Sequence, residues 1–315
     1  MPRKDKRAGH GERAEEILLK ETGALRRFRP LEGYLVTAIC IAWALYQLAL
    51  PSVIIVDQTA ERAIHLAFAI GLLFLVRPFF RSSGEKLQWL SATDRIPLID
   101  YICAILGVLS ALYLALDYEG IAMRAGLPLT RDLVSGSILV ILLLEATRRM
   151  VGPALSVIAL MFTAYAFLGP YLPDVLAYKG VSLTKYISNI TLSTEGIYGI
   201  PLGVSSAIVY LFVLLGALLE RAGAGRFFTN LALSILGRYK GGAAKAAVVA
   251  SAATGLVSGS SIANIVTTGN FTIPLMKKIG YPAKKAAAVE VAASTDGQLM
   301  PPIMGAAAFI IAEYV

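Results

Sequence analysis

Two polar runs interrupt the apolar last quarter of this 315-residue sequence, and their residue types suit ion binding. The first is Ser258-Gly259-Ser260-Ser261, followed by Asn264, Thr267 and Thr268. The second is Ser294-Thr295-Asp296-Gly297-Gln298, followed by Pro301-Pro302. Their side chains are mostly neutral, hard oxygens, a donor set of low charge that suits a small alkali cation such as Na+. Gly259, Gly269 and Gly297 admit backbone conformations that other residues resist. The two prolines remove donors and disfavour helix in the residue before each. A lipid-facing helix gains nothing from such breaks. Unwound backbone at membrane depth exposes carbonyls and N–H groups to an ion or solute. Half-helix ends there add partial charges, negative at a C-terminus and positive at an N-terminus.

Competing readings explain less. Packing through small residues would use the glycines and serines of the first run, but not Asn264, Asp296 or the proline pair. A phosphate-binding loop needs Lys-Ser/Thr after its glycines, which this stretch lacks. Asp296, at the break, would cost about 2.5–3.5 kcal/mol at the bilayer centre unless paired or solvated, and such residues are functional candidates. Glu290 is expected to pair with Lys284 or Lys285, Glu145 to anchor a span end beside Arg148 and Arg149, and Asp100 to meet Arg95. His65 reads as a satisfied packing histidine. Cys40 and Cys103, inside apolar runs, read as small buried hydrophobes. With two histidines in the chain and neither a nucleophile–base pair nor a ligand cluster in the sequence pattern, an enzyme is not expected.

The elements that must position these runs are membrane helices. The chain is 57% hydrophobic and 16% charged, against roughly 45–50% and 25% in soluble domains. Its net charge of +8 sits at the ends of apolar runs and forms no basic–aromatic patch, so nucleic acid is not an expected partner. Spans are expected at Leu35–Leu50, Ala63–Val76, Ile96–Leu116, Leu133–Leu144, Pro153–Leu168 and Gly199–Leu219. Arg226–Leu236 is too short to cross. Residues 1–32 form a polar tail. With the N-terminus in the cytosol, 24 of the 29 basic residues fall on cytosolic segments, as the positive-inside rule requires. Lys240/Lys245 and Lys277/Lys278 then share one side. The limbs between them, 244–257 and 262–276, are about 21–22 Å long as helices, too short for a core of about 30 Å. A re-entrant hairpin with its tip at Ser258–Ser261 is expected. After it comes a broken helix with halves 283–294 and 303–314.

The run GLVSGSSIANIVTTGNFTIPLMKKIGY with AVEVAASTDGQLMPPIMGAAAFIIAEY resembles the membrane subunit of tripartite ATP-independent periplasmic (TRAP) transporters. More particularly it resembles the fused form, in which a four-span small subunit precedes the large one. The upstream TEGIYGIPLGVSSAIVYLFVLLGALLERAGAGRFFTNLAL is similar to the same family, and the four-span region with its Arg148-Arg149 junction matches by pattern. The resemblance implies an all-α integral membrane protein with about seven crossing helices, a re-entrant hairpin (about 244–276) and a broken helix (about 283–314). It implies a small-subunit-like scaffold over 33–150, and over 151–315 the first half of an inverted-repeat, elevator-type transport unit. It places one sodium site and one wall of a substrate site on Ser258, Gly259, Ser260, Ser261, Asn264, Ser294, Thr295, Asp296, Gly297, Gln298, Pro301 and Pro302. Ser260, Asn264, Thr295 and Gly297 are the expected Na+ ligands. Asp296 stands where many relatives carry glycine.

The implied function is sodium-coupled import of a carboxylate or similar small solute across the bacterial inner membrane, without an organic cofactor. The expected partners are a periplasmic solute-binding protein, membrane lipid, and a second permease half that the chain, stopping at Val315, does not contain. A passive channel or exporter without a binding protein is the alternative.

Overall fold

The computed structural model describes residue 26 and residues 28–79, 95–124, 126–173, 175 and 177–315. Residues 1–25 of the expected tail lie outside the described residues. Among the described residues all regular secondary structure is helical. The order is α1 (Pro30–Ala49), α2 (Gln58–Val76), α3 (Leu98–Leu116), α4 (Tyr118–Met123), α5 (Thr130–Met150), α6 (Pro153–Leu168) and α7 (Leu183–Thr191), then α8 (Ile200–Arg221), α9 (Ala224–Leu236), α10 (Gly242–Ser258), α11 (Ser261–Lys278), α12 (Ala283–Thr295) and α13 (Ala306–Tyr314). Among the described residues five segments are long and apolar enough to cross a membrane: α1, α2, α3, Pro153–Tyr171 and α8. They cover five of the six spans expected by range. The sixth, α5, has 21 residues, about 31 Å of helix. The charged residues flanking its apolar Leu133–Leu144 stretch keep it out of that set.

The chain forms two compact units, one reaching to Gly203 and the other running from Val204 to Val315. This division differs from the subunit-like boundary expected after residue 150, because α6 and α7 pack on α5 within the first unit. In that unit α2 and α3 approach closely. A Cβ at Gly71 would lie 3.0 Å from Val108 Cγ2, and one at Gly107 3.2 Å from Ile70 Cγ2. Ala63, Leu66, Ala67, Ile70, Phe74, Ala104 and Ala111 fill the seam. Outward faces stay apolar: only 11% of α1 is buried, with Ile41, Leu45 and Leu48 exposed. An apolar surface of that extent needs lipid or a partner to cover it.

Ion pairs bracket this unit. Asp100, fully buried, accepts from Arg26 Nη2 at 2.6 Å and Arg149 Nη1 at 2.8 Å, rather than from the expected Arg95. Glu145 holds Arg148 at 2.7 Å and Arg149 at 2.8 Å, as the span-end reading anticipated. At the other end Arg124 meets Asp132 at 3.0 Å and Asp117 at 2.5 Å. Those bonds, to Asp132 first and then Asp117, push the Arg124 guanidinium further above its already high range. Asp132 and Arg149 are about 25 Å apart along α5. His65 is buried and meets Gln47 at 2.6 Å, as expected of a packing histidine. Cys40 is exposed and Cys103 half-buried. Cys40 therefore departs from the buried reading: it lies on an outward face of α1, which the sequence could not orient.

The second unit carries the polar runs. α9 lies against α10 through Ala232, Ala246 and Ala250. α10 and α11 form an antiparallel hairpin joined by Gly259 and Ser260 alone. Their 17 and 18 residues give about 26 and 27 Å, still short of a bilayer core. Each limb is slightly longer than expected, by one residue at the two-residue turn and two at the base. Gly259 takes φ +59°, the left-handed cap that glycine adopts without a Cβ penalty. Ser260 Oγ then caps α11 by accepting the Ala263 N–H at 3.4 Å.

Candidate ion and solute site at the hairpin tip

The second break follows α12. Asp296–Gln298 tighten into a 3-10 turn, the Pro301–Pro302 peptide is cis, and the Gly305 N–H donates to the Gln298 carbonyl at 2.9 Å to close the loop. Helix resumes at Ala306 rather than 303, because this closure keeps Ile303–Gly305 out of the helix.

The two interruptions touch. A Cβ at Gly255 would lie 2.7 Å from Gly297 Cα, and a Cβ at Gly259 would run into the Ile303 carbonyl. Gln298 Nε2 donates to Ser261 Oγ at 3.1 Å. The glycines therefore serve different needs. Gly259 supplies the positive φ. Gly297, whose φ is not positive, lets two backbones cross. Gly269 is helical, and a Cβ there would lie 3.3 Å from Glu290 Cγ; it makes room for that side chain and marks no break.

Asn264 is the centre of the arrangement and is fully buried. Its Nδ2 donates to the Ser251 carbonyl at 2.8 Å and Ser251 Oγ at 3.1 Å. Its Oδ1 is buried without a hydrogen-bond partner, as is Thr254 Oγ1. Buried orphan oxygens are uncommon and ask for an explanation. Ser294, also buried, meets Ser251 Oγ at 3.0 Å. Ser258 Oγ stays local, donating to Ser260 O at 3.3 Å. Thr295 is not brought to the tip by its side chain: it is exposed and donates to Val291 O at 3.0 Å. Asp296 is half-buried and forms no ion pair among the described residues, while Pro301 and Pro302 are exposed. Thr267 turns to Glu220 Oε1 at 3.1 Å, away from the break.

Sequence reasoning missed Ser251, Thr254 and the surroundings of Glu290. Glu290 does not pair with Lys284 or Lys285. Those lysines lie five and six residues before it, roughly 120–140° around the helix, where i−3 or i−4 spacing would be needed to face it. Instead Glu290, 0% exposed, meets Thr268, Thr272 and Ser294. The signal was present: Asn264, Thr268 and Thr272 recur every fourth residue, as do Glu290 and Ser294.

Comparison with known proteins bears on the same stretch. The family described as "Tripartite ATP-independent periplasmic transporter, DctM component" matches residues 138–315. The chain belongs to this family. The TRAP permease match takes in the hairpin, the break and α5 through α9. An uncharacterized protein, YgiK, of Salmonella typhimurium is 32% identical over 100 residues, 32% of this chain and 23% of that protein. The C4-dicarboxylate TRAP transporter large permease protein DctM of Rhodobacter capsulatus is 35% identical over 91 residues, 29% of this chain and 21% of the relative. The isethionate TRAP transporter permease protein DctMQ of Oleidesulfovibrio alaskensis is 34% identical over 91 residues, 29% and 14% respectively. The matched part of the chain thus spans less than a quarter of each of these relatives' lengths. No solved structure matches.

Proposed function

We propose that this chain is the membrane permease part of a sodium-coupled importer that receives a small organic anion from a periplasmic binding protein. The observation that carries the reading is the buried, unpartnered Asn264 Oδ1 beside the Gly255–Gly297 backbone crossing. Neutral oxygens at a helix break fit a monovalent cation. Asn264 Oδ1, with the backbone carbonyls at Ser260 and Gly297, would hold it. Thr295 would contribute through its backbone, since its hydroxyl is engaged elsewhere. Sodium would supply charge and the energy of its gradient; the chain supplies the fixed oxygens and the two half-helix ends. Two relatives are named for C4-dicarboxylate and isethionate, both small anions, which supports that solute class. The family match and the apolar helices support the inner membrane, and the distribution of basic residues supports an N-terminus in the cytosol.

The test is uptake into proteoliposomes by the complete permease with its binding protein. An inward sodium gradient is expected to drive accumulation, and Asn264→Ala to abolish the sodium dependence. Equal uptake with sodium replaced by choline would refute the coupling. Equal uptake without the binding protein would favour a channel or exporter.

A further inference from the structure

Among the described residues of the second unit, two side-chain oxygens are buried without a hydrogen-bond partner: Asn264 Oδ1 and Thr254 Oγ1. The first already serves the proposed cation site. The second has no assigned task. Thr254 is 4% exposed and lies inside α10. A threonine there can always donate to the carbonyl four residues back. The other buried threonines beyond the first turn of a helix, Thr191, Thr229, Thr268 and Thr272, all do so at 2.8–3.0 Å. Thr254 does not. A buried hydroxyl left unpaired costs free energy, so this rotamer needs a reason.

Packing explains the methyl but not the hydroxyl. A Cβ at Gly225 would lie 3.8 Å from Thr254 Cγ2 and 2.9 Å from Thr267 Cγ2, so the Thr254 methyl turns toward α9. Valine would serve that contact equally well. Position explains the rest. The hairpin turn is Gly259–Ser260, with Thr254 on the limb before it and Asn264 on the limb after it. Each is about 6–8 Å from the turn along its helix, so the two orphan oxygens lie at one depth on facing limbs. The neighbouring hydroxyls are committed: Ser251 to Asn264 Nδ2 and Ser294, Thr268 to Asn264 O and Glu290, and Thr267 to Glu220. Gly255, the next residue of α10, is the crossing itself; a Cβ there would lie 2.7 Å from Gly297 Cα and 3.5 Å from Asn264 Nδ2.

We infer that Thr254 is a further ligand of the cation site and tunes which alkali cation the site prefers. Its hydroxyl oxygen completes the set made by Asn264 Oδ1 and the carbonyls at Ser260 and Gly297. A hydroxyl offers a lone pair while keeping its proton, so it adds no charge, as suits a monovalent ion. Selectivity between cations follows from ligand number and cavity size, and loss of this oxygen changes both. This role rests on the sodium reading of the hairpin and break, and the test separates the two.

The test is thermal unfolding of the purified complete permease in detergent as sodium or lithium is raised, with choline holding the ionic strength. Thr254→Val keeps the side-chain shape and deletes the oxygen. Half-saturating sodium should rise about tenfold or more, the worth of one contact to a charged partner. The response to lithium, which is smaller and needs fewer ligands, should fall less. Without either ion the Tm should equal or exceed that of the wild type, because an unpaired buried hydroxyl has been removed. Thr254→Ser should restore the wild-type sodium response. A hydroxyl with a purely structural role, or one that shares a buried water with Asn264, gives the reverse: a lower Tm without ions and unchanged half-saturation. That result overturns the inference and leaves the sodium reading standing. A wild type whose unfolding and uptake both ignore sodium overturns the two together. Should Thr254→Val fail to fold, Thr254→Ala gives the same ion titrations, and wild-type half-saturation there is equally fatal.

Discussion

Replacing Gly255 by alanine should weaken sodium binding far more than it weakens the fold. The new methyl would sit 2.7 Å from Gly297 Cα, a distance backbone cannot absorb without the hairpin and the break moving apart. Overpacking of this kind costs about 1–3 kcal/mol. Gly255 is inside α10, so alanine also returns about 1 kcal/mol of helix propensity. That return applies whether or not hairpin and break are docked. It offsets the loss in global unfolding, leaving a net change of about 0–2 kcal/mol, but it cancels from the docking equilibrium. Docking bears the full penalty, and a site that needs both elements loses about 5- to 150-fold in affinity. The assay is thermal unfolding of the complete permease in detergent as sodium is raised. The wild type should gain stability with ligand concentration, and the variant should need correspondingly more sodium for the same gain. Gly297→Ala, whose Cβ would meet Asn264 Nδ2 at 3.3 Å and Gly255 Cα at 3.4 Å, should be milder. Unchanged sodium stabilisation in folded Gly255→Ala would refute the placement of the site at this crossing.

Gly259→Ala combines a left-handed φ of +59° with a collision at Ile303. It should destabilise by about 1–2 kcal/mol from the backbone alone, and by more than Gly280→Ala, which has positive φ but open space; matched melting curves would decide. Asp100→Ala would take from the buried Arg26 and Arg149 the carboxylate they share, leaving Arg149 its pair with Glu145, at a cost of about 3–5 kcal/mol. A loss under 1 kcal/mol, on the scale of a surface pair, would contradict the burial. Single cysteines at Lys240 and Lys277, in a background lacking Cys40 and Cys103, should both react with an impermeant maleimide from the cytosolic side. Labelling from opposite sides would replace the hairpin with a single span.

The helices and their approximate ends were legible because lipid imposes a strict demand. Every backbone polar group must be satisfied within the span, and apolar length and basic flanks record that demand residue by residue. The hairpin was legible for the same reason, since Lys240 and Lys277 cannot share a side if the chain between them crosses. Both ends of the break were readable to within a few residues from Asp296 and the proline pair. Partnerships were not. Asp100 sits five residues from Arg95 in sequence, yet its partners are Arg26 and Arg149, brought together by the packing of separate elements. Glu290 has lysines nearby in sequence, yet helical phase turns them away, and Gly269 opens the space where Thr268 and Thr272 receive it. Composition and spacing thus determined that this chain is a helical membrane protein with two breaks rich in oxygen. Only the tertiary structure decided that the breaks meet at Gly255 and Gly297, and that a carboxyl lies enclosed among hydroxyls beside them. Contact between segments depends on helix phase and on the absence of side-chain volume at particular glycines, and neither is a property of a local stretch of sequence.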